Sequence, residues 1–208
     1  MKNKGFTLIE LAVVLFIVSL LLGGLLAPLS AQIEARRVSD TNKSLHEIKE
    51  HLLGFAITNN ARLPCPATET DPLNVNYGLE NCSVADGFLP WRDLGLNDWL
   101  DKWEQQWRYR VDVNYLAVFS MNTHTADELI ILDEAGNPMT TIDPVAEIYE
   151  YTVAIIYSTG MNKTPDGENA VPDNIFQYGN QSTNYDDILI WLSRAQLFMQ
   201  LEFAGTLP

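Results

Sequence analysis

Phe6-Thr7-Leu8-Ile9-Glu10-Leu11-Ala12-Val13-Val14-Leu15-Phe16-Ile17-Val18-Ser19-Leu20-Leu21-Leu22-Gly23-Gly24-Leu25-Leu26-Ala27-Pro28-Leu29 is the stretch on which the fold turns. From Leu11 to Leu29 it carries no charge, and Ser19 is its only hydroxyl. As a helix its 24 residues would extend about 36 Å at ~1.5 Å per residue, enough for a ~30 Å hydrocarbon layer. Lys2 and Lys4 precede it, which keeps the short N-terminal end cytoplasmic and exports the rest. The alternative is a cleaved secretory signal, for which Leu29-Ser30-Ala31 is a poor small-residue site. Glu10 is the anomaly. An ionised carboxylate inside an apolar span costs on the order of 3 kcal/mol unless it is paired or near the interface. The span offers no opposite charge, so the expected partner is external, either another chain or a newly made terminal amine.

Lys4-Gly5-Phe6-Thr7-Leu8-Ile9-Glu10-Leu11, followed by a long apolar helix, resembles the class III signal of type IV pilins and type II secretion pseudopilins. The resemblance implies that residues 1–5 are a leader, that a prepilin peptidase cuts after Gly5, and that Phe6 becomes the methylated N-terminus. It further implies that Glu10 pairs with the terminal amine of a neighbouring subunit during assembly. Processing removes Lys2 and Lys4, leaving 11 basic against 27 acidic side chains.

Outward from the span the helical period continues. Leu45, Ile48, Leu52, Phe55 and Ala56 fall on one face, while Lys43, Glu47, Lys49 and Glu50 point elsewhere. One helix from about 6 to about 59 is expected, with a membrane half over 6–29 and an amphipathic continuation over 30–60. Pro64 and Pro66 prevent further extension. Gly23, Gly24 and Pro28 either bend or melt the helix, as in pilin-like chains, or are tolerated without consequence. A globular region over 61–208 follows. Residues 63–95 read as loop, with strands over 108–120, 128–133 and 149–158. The turn 134–138 leads into 140–142, 159–187 is polar and loop-rich, and 188–203 closes the chain as helix or strand. The fold class is α+β: a long helix on a small antiparallel sheet.

Four constellations remain. Cys65 and Cys82, the only cysteines, lie in an exported loop region, which favours a structural disulfide over two free buried thiols. His46 and His51 are five residues apart and miss the H-E-x-x-H zinc spacing, so they read as helix-surface residues. Trp99, Trp103 and Trp107 recur every four residues with Trp91 upstream. On a helix they would form one aromatic face, either exposed for a glycan or protein ligand or packed in the core. Residues 101–109 also look like the D-P-W-G-x-x-(aromatic)-x-Y segment of pseudopilins, with Lys102 in place of Pro and Glu104 in place of Gly. Asp166, Glu168, Asp173, Asp186 and Asp187 form an acidic loop, either simply solvated or a Ca²⁺ site. Major pseudopilins carry a calcium-stabilised loop ending in a D-I-x-x-W-like segment, and Asp187-Ile188-Leu189-Ile190-Trp191 is similar. That resemblance implies Asp166 and Asp187 as metal ligands.

The formal net charge is −14, and from Val111 onward 14 acidic residues face only Lys163 and Arg194. Nucleic acid is therefore not an expected partner, because a phosphate backbone demands a basic surface. No Ser-His-Asp set, phosphate-binding glycine loop or nucleotide fingerprint is visible, and no enzyme is expected. The resemblance implies a minor pilin or pseudopilin, held in the bacterial inner membrane with a periplasmic C-terminal domain. Its implied partners are the prepilin peptidase, the bilayer, the inner-membrane assembly machinery and other pilin or pseudopilin subunits. The rival reading is a displayed adhesin or ligand-binding module that uses the Trp-rich segment.

Overall fold

The computed structural model describes residues 5, 7–140, 142–143, 148–149 and 152–207, without the side chains of 22, 24–28, 142, 143, 148 and 149. The chain divides into two compact units, Met1–Ser39 and Asp40–Pro208. Helix α1 runs Leu8–Thr58, close to the expected 6–59, and is unbroken through Gly23, Gly24 and Pro28. Of the readings open for these residues, a melted segment is therefore not formed. Among the described residues no helix is long and apolar enough to cross a membrane. Several side chains of the expected span, including Phe6, Leu22, Leu25, Leu26 and Pro28, lie outside the described residues.

In the second unit, α1 buries Leu45, Ile48, Leu52 and Ala56 as the periodicity predicts, and adds Thr41 and Leu53. The helix ends where Asn60 and Ala61 turn left-handed, at φ 56° and 51°. The Ala61 amide then closes on the Ala56 carbonyl at 3.0 Å, a way of satisfying the carbonyls that a helix end leaves open.

Among the described residues eight strands follow: β1 Asp86–Phe88, β2 Arg108–Val111, β3 Ile130–Leu132, β4 Ile142–Asp143, β5 Ile148–Tyr149, β6 Thr152–Ser158, β7 Ile175–Gln177 and β8 Ile188–Ser193. The main sheet is antiparallel in the order β1-β2-β6-β8. β3 pairs with β7 in parallel, and β4 with β5 antiparallel. Every residue of β6 is buried, as a central strand covered on both faces must be. On one face Ile155 and Tyr157 join Leu129, Ile131, Phe176 and Leu189 in an apolar cluster. On the other, Ala154 and Ile156 are equally buried.

The strand expected over 108–120 stops at Val111 for a local reason. Asp112 is fully buried and caps the 3₁₀ turn Val113–Tyr115 by accepting the Asn114 amide. Its other oxygen accepts the Ala126 and Asp127 amides at 2.7 and 2.8 Å. The close of the chain is both strand and helix. β8 hands over at Ser193, which forms a reciprocal capping box with Gln196 and starts α2, Arg194–Ala204. Cys65 and Cys82 are joined in a disulfide, with Cα atoms 5.0 Å apart. Nearby, the Arg62 guanidinium makes a fork-like pair with Glu80 at 2.9 and 2.8 Å.

The Trp-rich segment is a turn, not a helix. The Asp101 amide bonds the Gln105 carbonyl at 2.8 Å, and Asp101 Oδ1 accepts the Trp103 and Gln105 amides at 2.9 and 2.8 Å. Glu104 sits left-handed at φ 64°, in the position where the family pattern has glycine. The tight turn survives both departures from that pattern, at the cost of strain on Glu104. A left-handed non-glycine residue is disfavoured by about 1–2 kcal/mol. Glu104→Gly is therefore expected to stabilise the fold by up to about 1 kcal/mol, after allowing for glycine's greater freedom when unfolded. Thermal unfolding of the variant checks this, and a lower midpoint would contradict the strained-turn account.

Candidate functional site

At the N-terminus, Thr7 precedes the first turn of α1 and Glu10 lies within it. The Thr7 amide and hydroxyl both donate to Glu10 Oε2 at 2.8 Å, and the Glu10 amide reaches the Thr7 hydroxyl at 3.4 Å. This is the capping box T-x-x-E: each side chain satisfies a backbone donor that the helix start leaves open. Glu10 thus has a local hydrogen-bonding partner that the charge argument alone did not identify. The bonds occupy one carboxylate oxygen, and among the described residues no cation pairs with Glu10. A Cβ on Gly5 would meet no atom within 4 Å. Among the described residues nothing around it requires glycine there. Phe6, the expected methylated residue, lies outside the described residues.

In the second unit, Asp166, Asp186 and Asp187 converge, with a ligand oxygen from each lying within 4.8 Å of the others. Of the acidic loop residues named above, Glu168 and Asp173 stand outside this group. Tight backbone geometry brings the three together. Gly160 is left-handed at φ 61°, and a Cβ there would lie 2.3 Å from Asp186 Oδ1. Asp166 takes the Asp186 amide at 2.8 Å and the Asn162 side-chain amide at 2.9 Å. Asp187 Oδ2 takes the Asp166 amide and the Asn169 side-chain amide, each at 2.9 Å. Asn169 is itself buried and accepts the Gln177 amide at 2.8 Å, tying β7 to the cluster. Asp186 Oδ1 and Asp187 Oδ1 are buried without a hydrogen-bond partner.

Burial pushes the Asp187 carboxyl up to about 7. The Asp166 amide and Asn169 pull the other way, and the Asp166 and Asp186 charges raise it further. Asp186 is likewise raised, mainly by burial. Two carboxylates with unmet oxygens, held beside a third, are a poor arrangement for the molecule by itself and a suitable one for a hard cation.

The remaining candidates separate. Cys65 and Cys82 are bonded, as expected. His46 and His51 are exposed on α1, their Nδ1 atoms 2.7 Å from the Asn42 carbonyl and 2.9 Å from the Leu94 carbonyl. Trp103 and Trp107 are buried. Trp91 and Trp99 are half-buried and pack on each other and on Tyr77, with ring centroids 5.4–6.2 Å apart. The four tryptophans form no continuous exposed stripe.

Residues 1–26 match the family model described as the prokaryotic N-terminal methylation motif. The chain carries the prepilin-type signal of type IV pilins and pseudopilins. No curated protein and no solved structure matches the chain.

The raised Asp187 carboxyl fixes the sign of a pH effect. An aspartate ordinarily titrates near 3.8, so between that value and about 7 the folded chain holds a proton the unfolded chain has lost. In the cation-free protein, stability is greatest at the acid end of this window, falls as pH rises through it, and is fully reduced above it. Asp187→Asn is expected to flatten that dependence and to raise the unfolding midpoint near pH 8. A wild-type midpoint that rises over the same interval would contradict the assignment.

Proposed function

We propose that the chain is a minor pilin or pseudopilin, assembled after peptidase processing into a type IV pilus-like or secretion filament. The observation that carries this reading is the methylation-motif match over residues 1–26. Cleavage follows Gly5, and the new amine of Phe6 is methylated. The apolar part of α1 is held in the inner membrane, with the second unit on the periplasmic side.

The capping box supports a two-stage role for Glu10. Before assembly, Thr7 satisfies one oxygen of the carboxylate and lowers the cost of keeping it at the membrane. On docking, the terminal amine of a neighbouring subunit supplies the missing positive charge, and apolar helix surface passes from lipid to protein with little loss of hydrophobic stabilisation. Gly5 serves recognition by the peptidase, a reading supported by the open space a Cβ there would meet among the described residues. The role is structural rather than catalytic.

The same subunit holds a Ca²⁺ ion in the acidic loop. Asp166, Asp186 and Asp187 supply the hard oxygens, and the unpartnered Oδ1 atoms of Asp186 and Asp187 are the groups the ion would satisfy. When bound, the ion neutralises crowded carboxylates and ties the loop after β6 to the start of β8. Ca²⁺ is accordingly expected to raise the unfolding midpoint strongly near pH 8, weakly near pH 5, and not at all in Asp187→Asn. An equal shift at both pH values would exclude this site.

Processing and assembly are separable by mutation. Glu10→Ala is expected to be cleaved normally but to enter filaments at least tenfold less efficiently, scored by subunit crosslinking in membranes. Gly5→Val is expected to accumulate uncleaved. Normal assembly of the first variant, or normal cleavage of the second, would overturn this scheme.

A further inference from the structure

The outer face of α1 carries its charges in a regular order. Leu45, Ile48, Leu52 and Ala56 are buried. At roughly 100° of turn per residue the opposite side of the helix holds Arg36, Asp40, Lys43, Glu47, Glu50 and Gly54. Asp40 is half-buried and the other five are exposed. Arg36 and Lys43 lie one heptad apart, as do Asp40 and Glu47, so the two signs alternate along the stripe. Charges repeated at this spacing are what neighbouring parallel helices use to choose a partner and fix their register.

Pairing within the chain uses only part of this order. Lys43 reaches back to Asp40 at 3.4 Å, the acid-first arrangement that a single helix favours. Glu47, on the other side of Lys43, makes no ion pair among the described residues. Gly54 is an independent sign. Glycine inside a helix is destabilising relative to alanine, yet a Cβ there would meet no atom within 4 Å. Among the described residues nothing requires glycine at that point. Its bare backbone leaves the outer face open to the close approach of another chain.

We infer that this face docks on the same face of α1 from a second copy of the chain, parallel to it and displaced by four residues, about 6 Å at ~1.5 Å per residue. The inference rests on the subunit reading above, which makes the helices parallel because one membrane holds both copies by the same end. Charge fixes the displacement. With none, every charge on the stripe faces its own like. A shift of three sets Glu47 against Glu50, and a shift of seven sets Arg36 against Lys43 and Asp40 against Glu47. A shift of four sets Arg36 of one copy beside Asp40 of the other and Lys43 beside Glu47, with no like pair on the stripe. Lys43 then bridges Asp40 of its own chain and Glu47 of its neighbour. Gly54 lies level with the neighbour's Glu50 and leaves room for that longer side chain. By count along the sequence the same shift brings the Phe6 amine of one copy level with Glu10 of the other, so a single displacement serves both ends of the interface.

The test uses two differently tagged full-length copies, co-expressed and kept in their membranes. One carries Ala35→Cys and the other Ser39→Cys, exposed positions four residues apart that leave every charge in place, and a short thiol crosslinker joins them. Crosslinking between these two copies is expected to exceed that between two Ala35→Cys copies at least fivefold. Lys43→Glu and Glu47→Lys, each made in both copies, are expected to lower the yield about fivefold by turning an exposed attraction into a repulsion. The two changes together are expected to restore it. Gly54→Leu improves helix propensity, so it is expected to lower the yield about threefold without lowering the unfolding midpoint. Equal crosslinking between two Ala35→Cys copies, no restoration in the double variant, an unchanged yield in Gly54→Leu, or crosslinks to another protein alone would overturn the inference. The N-terminal mass of the same samples separates it from the subunit reading. A chain that begins at Phe6 and fails these tests removes only the docking face, whereas an uncleaved chain removes both.

Discussion

One buried carboxylate joins the parts of the second unit that matter most. Asp101 Oδ1 closes the turn that sends Trp103 and Trp107 into the core. Its Oδ2 accepts the Ser158 hydroxyl at 2.6 Å, and that hydroxyl oxygen in turn accepts the Gly160 amide at 3.1 Å. The chain of bonds runs from the start of β2 to the end of β6 and into the acidic loop. Without this link the left-handed Gly160 would lose its anchor, and with it the close approach that places Asp186 beside Asp166 and Asp187. Buried charge-accepting hydrogen bonds of this kind contribute on the order of 2 kcal/mol each, and removing one partner costs more than the bond supplies.

The two candidate sites share a physical character. In each, carboxylate groups are hydrogen-bonded well enough to be held in position but are not neutralised. Thr7 fixes one oxygen of Glu10, and backbone amides with Asn162 and Asn169 fix the aspartates of the loop. Hydrogen bonds reduce the desolvation cost of a carboxylate, yet only a cation removes its charge. The external positive groups proposed above, a terminal amine at one and a divalent ion at the other, would supply what each site lacks. From Val111 onward Lys163 and Arg194 are the only lysine and arginine against 14 acidic residues, so positive charge is scarce in that part of the chain.

Much of the architecture was legible from local pattern. The three-and-four spacing of Leu45, Ile48, Leu52 and Ala56 located the buried face of α1, and the Asn-Pro-rich stretch placed its end. The two cysteines, the only ones in the chain and set in a loop-rich stretch, indicated their own pairing. Other features were hidden because the deciding interaction is not periodic. Trp99, Trp103 and Trp107 repeat at helical spacing, but a turn closed by Asp101 overrides that period and separates them. Strand β2 ends at Val111 because Asp112 finds amide donors some fourteen residues away, a contact no local window contains. The T-x-x-E spacing of Thr7 and Glu10 is compatible with a capping box, but the same residues lie in the processing signal, where the pattern is explained without it. Asp186 was visible only as one acid among several until the Gly160 turn brought its carboxylate to the other two.

The central claim is that the chain is a processed prepilin-type subunit, and the intact mass of the protein purified from membranes tests it most directly. The account requires a chain that begins at Phe6 and carries one added methyl group on its N-terminus. A mature chain that still begins at Met1 would contradict it, leaving an unprocessed anchor, and a chain that begins at Gln32 would contradict it as well, by removing Glu10 and the helix on which assembly depends.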